Sequence, residues 1–395
     1  MKKLTERTKR LSPSMTLAIS AKFKELVREG KDAINFSVGE PDFNTPQHIC
    51  DAAIEAINSG FTKYTTASGI PELKEAICKK LKRDNNLDYT TKNIIVGTGA
   101  KQPLFNAFLT LCEEGDEVLV PAPYWVSYSE MVKVTDATPV YIECPEDNDF
   151  KLKIEDLENA ITENTKCMIF NSPGNPTGTV YNEEELRAIA DLAVKYDFYI
   201  ISDEIYEKLI YDGLEHVSIA SFNEDIKNRT VVINGMSKAY AMTGWRLGYA
   251  AASVEIIAAM NKIQGHSTSN PTSFVQKGAL AALEGSEESV IAMREQFDKR
   301  RQYMVETINN MNNVSCRKPG GAFYVMMNIK ELFGKEIQGK VINNSMDFAT
   351  HLIETAHVAT VPGSAFGMEG FVRLSYANSM ENIEEGLSRI AEFVK

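Results

Sequence analysis

Two rhythms of apolar and polar positions alternate along the chain. Short apolar or β-branched runs are Ile94-Ile95-Val96, Glu117-Val118-Leu119-Val120, Pro139-Val140-Tyr141-Ile142, Cys167-Met168-Ile169-Phe170, Phe198-Tyr199-Ile200-Ile201 and Val231-Val232-Ile233. Several are apolar throughout, as strands covered on both faces should be. Between them the period changes to that of a helix. Asn182 caps one whose third position is Glu185, with Leu186, Ile189, Ala190, Ala193 and Val194 on one face. Another is expected to open with Thr45 as cap and Pro46 at the first helical position, to run its apolar face through Ile49, Ala53 and Ile57, and to stop at Gly60. This alternation predicts an α/β fold, a mostly parallel sheet with helices on both sides.

The ends of the chain follow another plan. A long amphipathic helical stretch over about 285–312 leads to Ala322-Phe323-Tyr324-Val325, His357-Val358-Ala359-Thr360-Val361 and Val372-Arg373-Leu374-Ser375, with helices between them. These elements predict a smaller α+β unit. A helix from about Thr16 to Glu29, closed by Gly30, is expected to pack with it. The expected division is therefore a large domain over 46–285 and a discontinuous small domain made of 1–45 and 286–395.

Composition narrows the function classes. The chain has 395 residues, 44% hydrophobic and 24% charged, which is ordinary for a globular protein large enough for two cores. With 54 acidic against 42 basic side chains the formal charge is -12, so neither nucleic acid nor an anionic membrane is an expected partner. No apolar run is long enough for a membrane span, and Met1-Lys2-Lys3 leads into further charged residues instead of an apolar signal segment. Six cysteines without Cys-x-x-Cys spacing read as reduced, mostly buried thiols, and a cytoplasmic protein is expected.

The motifs carry the chemistry. No G-x-x-x-x-G-K-[ST] occurs, and five histidines without H-E-x-x-H spacing predict no metal site. Gly97-Thr98-Gly99-Ala100-Lys101 lies between a strand and a helical pattern, where backbone N–H groups form an anion site. It is not a dinucleotide fingerprint, because Gln102 stands where a third glycine is needed. The most informative segment is Ser237-Lys238-Ala239-Tyr240-Ala241-Met242-Thr243-Gly244-Trp245-Arg246-Leu247-Gly248. A lone lysine is ordinarily a solvated surface charge. This one is accompanied by Asn171-Ser172-Pro173-Gly174-Asn175-Pro176-Thr177-Gly178, Ser202-Asp203-Glu204-Ile205-Tyr206 and Val372-Arg373-Leu374-Ser375. On these motifs, and on Ser12-Pro13-Ser14-Met15-Thr16 and Gly39-Glu40-Pro41-Asp42-Phe43, the chain resembles the fold-type I pyridoxal-phosphate aminotransferases of class I, in the branch of bacterial-type aspartate aminotransferases.

The resemblance implies roles that suit the residue types. Pyridoxal phosphate needs an amine for covalent attachment, and Lys238 is the matched position; once freed, that amine serves as general acid and base at the substrate Cα. Asp203 matches the carboxylate that holds the proton on the ring nitrogen. Asn175 and Tyr206 match the partners of the phenolic oxygen. Gly99, Ala100, Ser237 and Arg246 match the phosphate cup, with Tyr64 reaching it from a second subunit, and Trp125 matches the aromatic that stacks on the ring. Arg373 matches the bidentate partner of the substrate α-carboxylate, and Gly39 allows close approach of the N-terminal segment. Lys101, Ser14 and Thr16 resemble the bacterial-type substrate set, and no match is found for the arginine that binds the distal carboxylate in the animal-type branch.

The implied reaction is a ping-pong transfer of the amino group from aspartate to 2-oxoglutarate by a homodimer with shared active sites. Two readings of Lys101 stay open: a partner of the substrate's distal carboxylate, or part of the phosphate cup. Alternatives are an aminotransferase for prephenate, aromatic or other amino acids, a β-eliminating enzyme, and a regulator built on the same fold. The last would need an added basic helix-turn-helix module, and the motifs leave no room for one.

Overall fold

The computed structural model of the protein describes residues 2–13 and 15–395, so Ser14 lies outside the described residues. Its centre is a seven-stranded sheet, numbered here in chain order: β1 (Ile94–Thr98), β2 (Glu117–Ala122), β3 (Thr138–Glu143), β4 (Thr165–Asn171), β5 (Tyr199–Asp203), β6 (Thr230–Gly235) and β7 (Leu247–Ala251). The spatial order is β1-β7-β6-β5-β4-β2-β3. Its neighbours pair in parallel except where β7 meets β1 and β6, where pairing is antiparallel. Both faces are buried. Ile95, Val118, Val120, Ile201, Val231 and Ile233 pack on one side with Leu104, Phe108 and Ile256 of two helices. Val96, Val232 and Tyr249 pack on another with Leu73 and Ile77.

The six strands read from apolar runs are all present, and β7 is an addition. Its sequence, Leu247-Gly248-Tyr249-Ala250-Ala251, lacks the β-branched signature for a steric reason. A Cβ on Gly248 would run into the backbone of Ala100, and one on Gly235 would sit 2.8 Å from the Cα of Gly248. Small residues are what let three backbones meet there.

The helix caps are partly as expected. Asn182 accepts from the Glu185 N–H, and the reciprocal bond from Asn182 N–H to Glu185 completes a capping box on Glu183–Tyr196. The helix expected to be capped by Thr45 is displaced by one residue, spanning Gln47–Asn58 with Pro46 at the cap. Thr45 is used elsewhere: its hydroxyl donates to Ala241 O at 2.7 Å and accepts from Trp245 Nε1 at 2.9 Å, tying this segment to the loop that carries Lys238.

The C-terminal part forms an antiparallel four-stranded sheet in the order Val361–Pro362, Phe371–Ser375, Tyr324–Asn328, Ser315–Cys316. Helices Glu288–Asn309, Ser345–Thr355 and Met380–Phe393 supply Phe297, Phe348 and Leu387 to its core. The run expected as one strand over His357–Val361 is split: Val358–Ala359 pairs in parallel with Ile34–Asn35, while Val361–Pro362 joins the four-stranded sheet. The N-terminal segment is bonded into this layer, since Ser375 N–H donates to Phe36 O at 2.9 Å. The same core takes in Ile205, Tyr206, Leu209 and Tyr211, which follow β5.

Candidate active site

Parallel strands end at one edge of a sheet, and the loops leaving that edge converge. Here β1 ends before Gly99, β2 before Trp125, β4 before Asn175, β5 at Asp203 and β6 before Ser237 and Lys238. Because β7 runs the opposite way, its first residue brings Arg246 to the same edge. The facing wall comes from the smaller sheet, with Arg373 and Tyr324, and from the N-terminal segment, with Gly39. Between them is a cavity of about 410 Å³ lined by Ala100, Lys101, Trp125, Asn175, Asp203, Tyr206, Ser237, Lys238, Arg246 and Arg373 among others. Gly99 adjoins it under Arg246. Thr16 lies in the helix Met15–Arg28, whose Ser20 reaches the cavity. Tyr64 does not line this cavity; its side chain is 91% exposed.

Lys238 Nζ donates to Gly39 O at 2.5 Å. Burial above all, with Arg373 and Arg246, lowers its pKa to about 8 against the opposing pull of Glu40 and Asp203. In the cofactor-free protein, acylation of Lys238 should therefore reach half its limiting rate near pH 8, since the neutral amine gains on the ammonium as pH rises. Peptide mapping of trace-labelled protein checks this. A midpoint at the ordinary lysine value of 10.5 would show that the site does not activate the amine.

Asp203 is the mirror case. Its carboxylate accepts from Tyr128 Oη at 2.8 Å and from the Ile205 N–H at 3.3 Å. Burial pushes its pKa up to about 6, against the pull of Tyr128, Ile205 and Lys238. Arg373 is buried at 3% exposure. It donates to Asn175 Oδ1 at 3.0 Å and to Ser37 O at 2.7 Å, and its Nε has no partner among the described residues. An orphaned guanidinium N–H at a cavity wall invites a carboxylate.

Several features fit pyridoxal phosphate. Among the described residues the buried Asp203 has neutral donors but no direct cation, leaving an acceptor for a protonated ring nitrogen. A Cβ on Gly99, which has φ +71°, would collide with the Arg246 guanidinium, so the glycine makes room for a cation at the start of the helix Lys101–Leu111. Helix start and guanidinium together form an anion cradle. One expected contact is otherwise engaged: Tyr206 Oη is hydrogen-bonded to Tyr324 Oη at 2.9 Å.

The comparisons with known proteins agree with this geometry. A profile of the aminotransferase class I and II family matches residues 31–390. The chain belongs to that family. Among relatives, the aspartate aminotransferase of Bacillus subtilis (strain 168) is 50% identical over 393 residues, covering 100% of this chain and 99% of the relative. A probable aspartate/prephenate aminotransferase of Rickettsia bellii is 48% identical, covering 96% of each chain. The aspartate aminotransferase of Thermus thermophilus solved with maleate superposes with a TM-score of 0.94 at 42% identity, covering 100% of both chains. Like other class I and II aminotransferases, this enzyme is pyridoxal-phosphate-dependent.

Sequence reasoning overlooked three residues of this aminotransferase site. Tyr128 follows Trp125 by three positions, a helical spacing that packs the rings edge to face at 5.3 Å. That spacing was a usable signal. Asn171 donates from Nδ2 to Asp203 O at 2.7 Å and so braces the end of β5. Tyr324, whose ring centroid is 4.4 Å from the Arg373 guanidinium carbon, had no sequence signal. Its place depends on the pairing of Tyr324–Asn328 with Phe371–Ser375, 47 residues apart in the chain.

Proposed function

We propose that this aminotransferase uses L-aspartate as donor and 2-oxoglutarate as acceptor, releasing oxaloacetate and L-glutamate in a ping-pong cycle. The observation that carries this reading is one cavity holding an amine of lowered pKa, a buried carboxylate and an arginine with an unpartnered N–H. When bound, pyridoxal phosphate supplies an aldehyde that captures the amino group and a ring that stabilises negative charge at the substrate Cα. Gly99, Ala100, Ser237 and Arg246 would hold its phosphate, Asp203 would keep a proton on its ring nitrogen, and Asn175 and, once released from Tyr324, Tyr206 would serve its phenolic oxygen. Trp125, at the cavity wall, would cover the ring. Arg373 and Gly39 seat the α-carboxylate, and Lys238 Nζ takes up the Cα proton and returns it. A spectrum of the yellow enzyme mixed with aspartate tests the reading: the absorbance of the aldehyde form should give way to that of the amine form, and an unchanged spectrum rejects it.

Lys101 is assigned to the distal carboxylate, with Ser14 and Thr16 completing the substrate set. Its Nζ lies 4.6 Å from the Trp125 ring centroid and 3.2 Å from Ser127 Oγ, at the cavity wall. Burial, then the charge of Arg246, lowers its pKa. Lys101→Ala should reduce kcat/KM for aspartate and glutamate by about 10- to 100-fold, the scale of a charge-assisted hydrogen bond, and hardly affect alanine. An equal loss for alanine would return Lys101 to the phosphate. A second reading, an aspartate/prephenate enzyme, draws on the Rickettsia relative and on the aromatic wall of Trp125 and Tyr128; a panel of oxo-acid acceptors separates the two.

The site-sharing homodimer, with Tyr64 and the loop 266–270 offered to a partner's cavity, is supported by the exposure of Tyr64. The division into a large unit 46–285 and a discontinuous unit of 1–45 and 286–395 draws on the bonding of the N-terminal segment into the C-terminal layer. All six cysteines are unpaired, which supports a cytoplasmic enzyme. No helix among the described residues is long and apolar enough to cross a membrane.

A further inference from the structure

Behind Asp203 lies a second polar cluster that does not line the cavity. Glu204 follows Asp203 directly, and successive side chains of an extended chain point to opposite faces. Glu204 is 1% exposed. Its Oε1 accepts from Ser202 Oγ at 3.0 Å and Ser218 Oγ at 2.7 Å, and its Oε2 lies 3.0 Å from His216 Nε2. Its main-chain N–H donates to Ile233 O at 2.9 Å, fixing the end of β5 against β6. No lysine or arginine pairs with it among the described residues.

Neighbouring Glu207 is different. It is ion-paired with the buried Lys80 and accepts from Asn85 Nδ2 at 2.8 Å. The ligand atoms of Glu204, Glu207 and His216 lie within 4.8 Å of one another. Lys80 already neutralises one carboxylate and the other is saturated with donors, so the cluster is a closed hydrogen-bond network and carries no metal proposal. The phenols of Tyr89 and Tyr249 complete its surroundings, their pKa values raised by burial first and by these carboxylates next.

We propose that Glu204, held by Ser202, Ser218 and His216, is a positioning residue whose fixed negative charge biases the Asp203 pocket toward a cationic N–H, keeping the ring nitrogen of bound pyridoxal phosphate protonated. This rests on the reading of Asp203 given above. Like charges in a poorly solvated interior raise each other's proton affinity, and a cation between or beside them relieves the repulsion. The direction agrees with Asp203, on which burial acts first and Glu204 adds to the upward push, against Tyr128, the Ile205 N–H and Lys238. The two serine hydroxyls hold Glu204 in place without cancelling its charge, and His216 opposes that charge only in its protonated form. A serine hydroxyl can orient a carboxylate; only a countercharge silences it.

The test uses holoenzyme loaded with ring-¹⁵N pyridoxal phosphate, whose nitrogen chemical shift reports ring protonation across a pH series. Glu204→Gln keeps an acceptor for both hydroxyls and removes the charge. The ring nitrogen should then lose its proton about one pH unit lower than in wild type, a tenfold weaker hold. Ser218→Ala removes a hydrogen bond but no charge and should move the midpoint far less. If Glu204→Gln does not fold, His216→Lys sets a permanent cation against Glu204 and should shift the midpoint the same way.

A folded Glu204→Gln or His216→Lys enzyme with the wild-type midpoint overturns the proposal, as does an equal shift in Ser218→Ala. An Asp203→Asn enzyme whose ring nitrogen stays protonated as in wild type removes the underlying reading of Asp203 instead, and the proposal with it.

Discussion

Lys238→Ala is expected to abolish amino transfer while leaving the protein folded. The side chain sits in a loop braced independently of it, by Thr45 bonded to Ala241 and Trp245 and by Arg246 Nη1 donating to Thr243 O at 2.7 Å. On the proposed reading, its removal takes away the attachment point of the cofactor and the group that moves the Cα proton. Proton-transfer assistance alone is worth about 10²- to 10⁴-fold, so the combined loss should bring turnover below detection. Phosphate retention should survive, because Gly99, Ala100, Ser237 and Arg246 are untouched, and the variant should still bind cofactor reversibly. Steady-state assays and circular dichroism check both halves. Borohydride reduction of loaded wild type, followed by peptide mapping, should find the cofactor on Lys238; label on another lysine sinks the assignment.

Asp203→Asn should lower kcat by about 10²- to 10³-fold, the scale of losing one preorganised electrostatic partner. The change is nearly isosteric. Tyr128 can still donate to the remaining oxygen, and Ile205 keeps its place. On the proposed reading, what disappears is the charge opposite the ring nitrogen, in a pocket where burial leaves little water to replace it. Since Arg373, Asn175 and Lys101 are unaffected, KM for aspartate should change far less than kcat. A variant with near-normal kcat would remove Asp203 from the mechanism.

Activity should also fall on the acidic side for a reason tied to this group. A carboxylate whose pKa is raised to about 6 is anionic above that pH and neutral below it. Cofactor binding to the free protein should therefore weaken as pH drops through about 6, because a neutral Asp203 cannot hold a cationic nitrogen. Fluorescence titration of cofactor-free protein between pH 5 and pH 8 measures it, and affinity that is flat through this range would contradict the raised value.

Wherever the signal was local, the amino-acid sequence determined it. Six strands of the main sheet are visible as apolar runs because strands covered on both faces admit little else. The capping box at Asn182 needs only four consecutive residues. The motifs around Gly99, Asn175, Asp203, Lys238 and Arg373 could be read together because each is a short segment following a strand or lying within one.

The tertiary structure decided what depends on distant segments meeting. Strand β7 is disguised by the small residues that let its backbone approach Ala100 and Gly235. Pro46 replaces Thr45 at a helix cap because the Thr45 hydroxyl is committed to a loop 200 positions away. Tyr128 and Tyr324 enter the site through a helix face and a strand pairing, respectively. The difference between Asp203 and Glu204, adjacent acids with one facing the cofactor cavity and one sealed behind it, is likewise absent from the sequence. It arises because an extended chain alternates its side chains, and only the packing of β5 against its neighbours fixes which face is which.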